Sequence, residues 1–290
     1  MATVAIAIPN LNGAEYLRQT LQSIQLQTVK PDEVLISDNH SNDNSLEIIK
    51  EFPDLKINVV QPQLSLTMSQ NWNYAASKTK SDWFFLLSND DLLRDTAVSK
   101  LKVLAEKISE DVAVISFKSE IINEESVLVL GKYRIGPSRI RKPNEFLREN
   151  IRYLHINAAA VAIRKSAWEI IGGFPESYNY LHDLVFYQRT ILKFKILDSS
   201  EVLGRYRIYK LKSNSESRKR QTELDFLFYE SNDLKKYIEI YPYLQYVYYS
   251  SRVKTFALII MKIRQIILFY TTFFRRFQDR LGKSGFPICK

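Results

Sequence analysis

The sequence predicts an α/β protein with a doubly wound sheet flanked by helices. Strand-like and helix-like segments alternate from the N-terminus onward, which is the pattern of such a sheet. The run from Trp83 to Leu87 contains five large apolar residues without interruption, which is typical of a strand buried on both faces. The chain has 290 residues, of which 46% are hydrophobic, so it is long enough to bury a full core.

The first hundred residues predict four strand–helix units. The first strand is rich in β-branched residues, and the first helix has apolar residues at helical spacing. Predicted strands occupy residues 3–9, 33–37, 56–60 and 83–87. Predicted helices occupy residues 15–27, 46–51, 68–77 and 95–108. The following residues predict strands at 112–117 and 157–163, with loops between 120 and 143.

Polar residues follow several of these strands. Asn10 follows the first predicted strand, and Asp38 and Asn39 follow the second. Asp90 and Asp91 follow the strand predicted at 83–87. Because ligands bind at the carboxyl edge of open α/β sheets, these side chains are expected to meet in one crevice. Two adjacent carboxylates repel each other unless a cation lies near them, and hard oxygen ligands suit Mg²⁺ or Mn²⁺. The alternative is a solvated turn that caps the next helix.

A series of short motifs resembles the family 2 glycosyltransferases, which have the GT-A fold. The match runs in order from about residue 3 to 210 and is specific as a set, although each motif alone is weak. The motifs are Ile8-Pro9-Asn10-Leu11-Asn12-Gly13, Gln27-Thr28, Ile36-Ser37-Asp38-Asn39, Asn71-Trp72-Asn73, Ser88-Asn89-Asp90-Asp91, Gly172-Gly173-Phe174, His182-Asp183 and Tyr206-Arg207.

The resemblance implies a mixed, Rossmann-like GT-A sheet and an inverting glycosyltransferase. Such an enzyme moves a sugar from a nucleotide-sugar donor to a hydroxyl of a glycan or lipid-linked glycan in cell-surface polysaccharide synthesis. It implies a divalent metal, Mn²⁺ or Mg²⁺, held by Asp90 and Asp91, and Asp183 as the catalytic base. The implied nucleotide-sugar contacts are Pro9, Asn10, Asn12, Asp38, Asn39, Asn71, Asn89 and Asp90.

Two positions depart from the family pattern. Asn39 stands where many members have a second acid, and an amide donates as well as accepts, so the preferred base is open. Ser88 stands where the first Asp of the metal motif usually lies. An alternative is therefore a catalytically impaired protein that binds a nucleotide sugar. For Asp183 the alternative to catalysis is a helix N-cap.

The chain is expected to divide into a GT-A domain and a basic C-terminal region. The domain spans residues 1–215, with a nucleotide-sugar half at about 1–95 and an acceptor half at about 96–215. Residues 216–290 are expected to be helical. The last fifty residues contain nine Lys and Arg against one acid, and the whole chain carries a net charge of +9, so the first 240 residues are nearly neutral and do not indicate nucleic-acid binding.

The apolar residues of 252–281 fall on one helical stripe that charges interrupt. This pattern predicts an amphipathic helix that lies on a membrane surface rather than a span. The alternative is a helix packed on protein. The N-terminus enters a strand directly, and the chain contains a single cysteine. The sequence therefore predicts a cytoplasmic enzyme bound peripherally to the cytoplasmic face of a membrane.

Overall fold

The computed structural model describes residues 1–129, 136–150, 156, 158–209, 219 and 223. Within these residues one mixed sheet contains nine strands: β1 Val4–Asn10, β2 Glu33–Asp38, β3 Asn58–Val60, β4 Trp83–Leu86, β5 Leu92–Leu93, β6 Val112–Ile122, β7 Arg139–Ile140, β8 Val161–Arg164 and β9 Lys195–Arg207. Their order in the sheet is β3-β2-β1-β4-β8-β6-β9-β5, with β7 also paired to β9. The prediction of a mixed α/β sheet is confirmed.

The parallel part of the sheet consists of β1 to β4. Strand β1 is completely buried and pairs in parallel with β2 on one side and β4 on the other. Because every strand here points the same way, Asn10 and Asp38 lie opposite each other at the carboxyl ends of β1 and β2. The polar residues that follow the strands are thus brought to one edge, as the sequence predicts.

The second half of the sheet mixes directions. Strand β8 is antiparallel to both β4 and β6, which a simple repeat of strand–helix units does not predict. Strand β9 is long enough to pair in parallel with β6 along one side. Its other side pairs with β7 near Asp198 and with β5 near Arg205. This arrangement lets β9 carry Arg207 back to the turn after β4.

Helices cover the sheet and follow the predicted bounds closely in the first half. They are α1 Ala14–Gln25, α2 Ser45–Lys50, α3 Met68–Lys78, α4 Ala97–Ala105, α5 Pro143–Glu149, α6 Lys165–Ile171 and α7 His182–Lys193. Helix α3 begins with a capping box, in which Thr67 accepts from the Gln70 amide and Gln70 bonds back to Thr67. The loop expected between residues 120 and 143 instead contains the end of β6 and the short strand β7.

The predicted C-terminal region, residues 216–290, lies outside the described residues except for positions 219 and 223. The proposed boundary at 215 and the amphipathic helix at 252–281 therefore stay predictions. Among the residues that the structure describes, no helix combines the length and apolar character needed to cross a membrane.

Candidate functional site

The side chain of Asn10 joins the ends of three strands. Its Nδ2 donates to Asp38 Oδ1 at 2.9 Å and to Ser41 Oγ at 3.1 Å. Its Oδ1 accepts from Asn89 Nδ2 at 2.7 Å. An amide is suited to this position because it donates and accepts at once. Asn10 is fully buried, so its role is to hold the loops after β2 and β4 against the end of β1.

Asp38 is also fully buried, and its carboxylate is surrounded by donors. Oδ1 accepts from Asn10 and from Ser41 Oγ, and Oδ2 accepts from the Ser41 amide and from Gln61 Nε2. Burial raises the pKa of Asp38, but the hydrogen bonds from Ser41, Asn10 and Gln61 outweigh burial and hold the pKa below its ordinary value. The carboxylate is thus ionised and engaged by protein groups.

Asn39 forms a two-point contact with the backbone of Leu66. Its Nδ2 donates to the Leu66 carbonyl and its Oδ1 accepts from the Leu66 amide, both at 2.8 Å. A carboxylate cannot make this pair, because it has no hydrogen to donate. The departure from the two-acid pattern therefore has a structural explanation: the amide fastens the segment before α3 to the end of β2.

Gly13 makes the approach of the Asn10 and Asn89 side chains possible. A Cβ at this position would lie 2.2 Å from Asn89 Nδ2 and 2.3 Å from Asn10 Oδ1. Such distances are far below van der Waals contact. The glycine is required here by space, since its φ is not positive.

A cavity of about 350 Å³ opens beside this network at the carboxyl edge of the sheet. The wall combines apolar side chains with amides, a hydroxyl and one carboxylate, which is the composition of many small-molecule sites. It is lined by Pro9, Leu11, Asn39, Leu66, Met68, Asn71, Trp72, Ser88, Asn89 and Asp90. Asn71 is held from behind by Ser37, whose hydroxyl donates to its Oδ1 at 2.5 Å.

Asp90 presents the carboxylate of this cavity and is held by Tyr209. The Tyr209 hydroxyl donates to Asp90 Oδ2 at 2.5 Å, and its ring packs 6.0 Å from that of Tyr16. Burial and, after it, the Asp90 carboxylate raise the pKa of Tyr209 above its ordinary value. The phenol therefore stays protonated and remains a donor.

Asp91 points away from the cavity into the interior. It is 1% exposed, and its Oδ1 accepts from the Arg207 backbone amide at 2.8 Å. Its Oδ2 has no hydrogen-bond partner among the described residues. Burial and the neighbouring charge of Asp90 raise the pKa of Asp91 well above its ordinary value. Because Asp91 is buried and does not line the cavity, the geometry gives its predicted metal role no support.

The guanidinium of Arg207 is used entirely within the protein. It donates to the carbonyls of Asp90, Asn123 and Glu124, and to the side chains of Ser126 and Gln19. It also lies over the Tyr16 ring, 4.2 Å from the centroid. Arg207 is 2% exposed. It therefore supports the turn that carries Asp90 and is not available to a diphosphate.

The residues present fit a divalent metal only in part. Over the described ranges no group of three or more His, Cys, Asp or Glu is placed to hold an ion. Asp90 alone offers a carboxylate at the cavity wall, and magnesium and manganese accept a site with few protein ligands when phosphate oxygens complete it. Any metal here would therefore be held mainly by a bound diphosphate.

Asp183 lies in the first turn of α7 and is not among the residues that line the cavity. The preceding residue, His182, packs edge-on against Trp72, with ring centroids 4.8 Å apart. His182 Nδ1 bonds to the Asn179 carbonyl at 2.8 Å; since a carbonyl only accepts, this nitrogen carries the proton. Asp183 is partly exposed and accepts the Leu184 amide through Oδ1, which leaves its other oxygen for chemistry.

The Asn71-Trp72-Asn73 and Gly172-Gly173-Phe174 motifs contact each other. Asn73 pairs with both backbone groups of Phe174, accepting its amide and donating to its carbonyl, each at 2.8 Å. Gly173 has a φ of +73°, and a Cβ there would lie 2.7 Å from Asn73 Oδ1. These contacts fix the segment before α7 on helix α3.

The structure brings together five of the predicted donor contacts, Pro9, Asn39, Asn71, Asn89 and Asp90, around one cavity. Asn10 and Asp38 lie beneath it, and Asn12 lies outside it, where its Oδ1 accepts the Asn42 amide. Trp72 and Tyr209 are not among the predicted site residues, yet Trp72 lines the cavity and Tyr209 holds Asp90. Trp72 lies within the Asn71-Trp72-Asn73 motif, and Tyr209 follows the Tyr206-Arg207 pair.

Residues 5–170 match the model of glycosyl transferase family 2. An uncharacterized glycosyltransferase of Rickettsia typhi is 25% identical over 235 residues, which cover 80% of this chain and 72% of that protein. The poly(ribitol-phosphate) β-N-acetylglucosaminyltransferase TarP of Staphylococcus aureus is 30% identical over 118 residues, or 39% of this chain and 36% of TarP. The chain thus spans about a third of TarP.

Solved structures of S. aureus TarS share the fold. The structure of TarS residues 1–349 with UDP has a TM-score of 0.61 at 15% identity, and the match covers 79% of this chain and 66% of that one. The structure with UDP-GlcNAc has a TM-score of 0.60 and covers 74% and 60% of the two chains. At this identity the likeness shows the GT-A fold alone.

The substitution Asn39→Asp tests the contact between the Asn39 side chain and the Leu66 backbone. Asn39→Asp places a carboxylate against the Leu66 carbonyl and removes a donor, so we expect a loss of about 1–3 kcal/mol in the free energy of unfolding. Urea unfolding measures it, and Asn42→Asp, at an exposed site three residues away, serves as the control. An Asn39→Asp variant as stable as the control would contradict the structural role assigned to the amide.

Proposed function

Because the chain belongs to glycosyl transferase family 2, we propose that it is an inverting enzyme that transfers a sugar from a nucleotide-sugar donor to a glycan hydroxyl. The observation that carries the proposal is the cavity in which four separate motifs meet. They supply Pro9, Asn39, Asn71 and the Asn89–Asp90 pair to one wall. A structural scaffold alone does not require amides and a carboxylate to converge on a cavity.

UDP-sugars are the first donor class to test. The TarS structures contain UDP and UDP-GlcNAc, and TarP is named as an N-acetylglucosaminyltransferase that acts on poly(ribitol-phosphate). For this chain the proposed donor is a uridine diphosphate sugar, and the proposed acceptor is a hydroxyl of a cell-surface or lipid-linked glycan. The apolar wall with Trp72 suits a flat ring, and the amides suit hydroxyl groups.

The proposed chemistry divides between Asp90 and Asp183. Asp90 would hold Mn²⁺ or Mg²⁺ on the donor diphosphate, and such an ion supplies stabilisation of the charge on the leaving nucleoside diphosphate. Tyr209 holds Oδ2 of Asp90 by a hydrogen bond, so Oδ1 would be the oxygen that binds the ion. Asp183 would take the proton of the acceptor hydroxyl as the oxygen attacks the anomeric carbon from the side opposite the diphosphate.

Nucleotide binding is tested first by thermal unfolding. Nucleoside diphosphates are added with and without Mn²⁺ to the wild type and to Asp90→Ala. A ligand of the folded state stabilises it by about 2.7 kcal/mol at about 100 times Kd, so we expect a Mn²⁺-dependent rise in Tm with UDP. We expect Asp90→Ala to lose the Mn²⁺ dependence.

The matched control is Asp54→Ala, which removes an exposed carboxylate away from the cavity. It should keep the full shift. If no nucleotide raises the Tm of the wild type, the motifs have only a structural role and the proposed enzyme function is wrong. If another base gives the larger shift, the donor class is corrected and the rest of the proposal stands.

Catalysis is tested separately with Asp183→Asn. The substitution keeps the shape of the side chain and removes its basicity, so we expect the Tm shift with UDP to persist. Hydrolysis of the donor by water, measured as release of UDP, should fall by a factor of about 10²–10⁴. Asp54→Asn is the control. A wild type that binds UDP but hydrolyses no donor and transfers to no glycan would favour the alternative of an impaired, nucleotide-sugar-binding protein.

We also propose attachment to the cytoplasmic face of a membrane, on the sequence of residues 252–281 alone. A basic amphipathic helix binds an anionic surface through its apolar stripe. Replacing Phe273, Phe274 and Phe277 together with Ser should abolish co-sedimentation with vesicles that contain anionic lipid. Replacing the same three residues with Leu keeps the stripe and should preserve it. Equal co-sedimentation of the triple Ser variant and the wild type would contradict the proposal.

A further inference from the structure

The carboxylate of Glu223 is bound by three successive backbone amides. Its Oε1 accepts from the Asn179 amide at 2.8 Å, and its Oε2 accepts from the Tyr180 amide at 2.7 Å and the Leu181 amide at 3.0 Å. Glu223 is 42 residues further along the chain than Leu181. A charged acceptor on several backbone donors is among the stronger hydrogen-bonding arrangements in proteins.

These amides directly precede α7, which has no cap of its own. The N-cap position is Leu181, and no side chain of that position caps the helix. The first turn of a helix leaves amides without partners and carries a partial positive charge, so a carboxylate is favoured there. Glu223 thus places a carboxylate on the amide of the N-cap residue and on the two amides before it, at the end of the helix where negative charge is favoured.

The turn held by Glu223 is the one that places the proposed base. Asp183 is two residues after Leu181, and His182 between them bonds to the Asn179 carbonyl. One side of the turn is therefore held by the His182 ring, which packs on Trp72 and on Phe174. The other side is held by Glu223. Both contacts act on residues 179–182, which directly precede Asp183.

We infer that Glu223 is a positioning residue for the transfer reaction: its carboxylate fixes the start of α7 and thereby the placement of Asp183. The inference rests on the proposed function, because it takes Asp183 as the base. Glu223 itself touches no reacting atom in this role. Its removal should therefore affect turnover and leave donor binding intact, since the donor residues lie on other elements.

The test uses the full chain and two substitutions, Glu223→Gln and Glu223→Ala. The glutamine keeps one carbonyl oxygen, which can still accept two amides, whereas alanine keeps none. For donor hydrolysis measured with the UDP-sugar that the wild type cleaves fastest, we expect kcat to fall by about tenfold or more in Glu223→Ala. The kcat of Glu223→Gln should lie between those of Glu223→Ala and the wild type. The KM for the donor should stay within about twofold in both variants, as expected for a loss confined to the transition state.

The control is Glu106→Ala, which removes an exposed glutamate at the end of α4. Rates are divided by the concentration of binding-competent protein, titrated with UDP, so that partial unfolding does not count as lost catalysis. A kcat for Glu223→Ala equal to that of the control overturns the inference. So does a rise in KM that accounts for the whole effect.

Hydrogen exchange separates failure of this inference from failure of the proposed function. The amides of Asn179, Tyr180 and Leu181 should exchange slowly in the wild type and faster in Glu223→Ala, with or without catalysis. If exchange at these amides is faster in Glu223→Ala but the wild type has no transferase or hydrolase activity, Glu223 holds the turn and the proposed function is wrong. If the enzyme is active and the amides do not respond, Glu223 does not hold the turn and the inference is wrong.

Discussion

The buried side-chain amide of Asn10 holds the carboxyl edge of the sheet together. It bonds to Asp38 after β2 and to Asn89 after β4, so the ends of three parallel strands share a single donor–acceptor group. The arrangement needs a residue that donates and accepts, and it needs Gly13 beside it, where a Cβ would meet both amides. The cavity wall is built on residues adjacent to this network. Its shape therefore depends on an interaction made entirely within the protein.

Asparagine has a second structural use in this fold, the pairing of one side chain with both backbone groups of a distant residue. Asn39 pairs with Leu66 and Asn73 pairs with Phe174. Each pair imitates a short piece of β-ladder and fixes a loop where no strand is available. The first pair holds the segment that leads into α3, and the second holds the segment that leads toward α7. This backbone pairing is a structural reason for an amide at position 39.

The parallel half of the fold could be predicted from the sequence, because short apolar strands that end in polar residues indicate both the element and its direction. The bounds of β1, α1, β2 and β4 follow that pattern closely. The pairing of β8 between β4 and β6 could not be predicted in this way, since apolar periodicity carries no information on antiparallel insertion. The role of Arg207 was also beyond the sequence: a Tyr-Arg pair indicates a positive charge, and only the fold shows that five protein acceptors already use it.

The three carboxylates counted at the sheet edge differ in what surrounds them, and this difference decides what each can do. Asp38 is buried among donors that hold its pKa low, so it is ionised but already engaged. Asp91 is equally buried but receives one hydrogen bond beside the charge of Asp90, and its pKa is raised. Asp90 alone reaches the cavity. Counting acids in the sequence therefore overstates the negative charge available to a cation. Asp38 and Asp91 are buried, so only the Asp90 carboxylate lies at the cavity. A divalent ion at this edge needs oxygen ligands from the donor itself, which would make binding of metal and nucleotide mutually dependent.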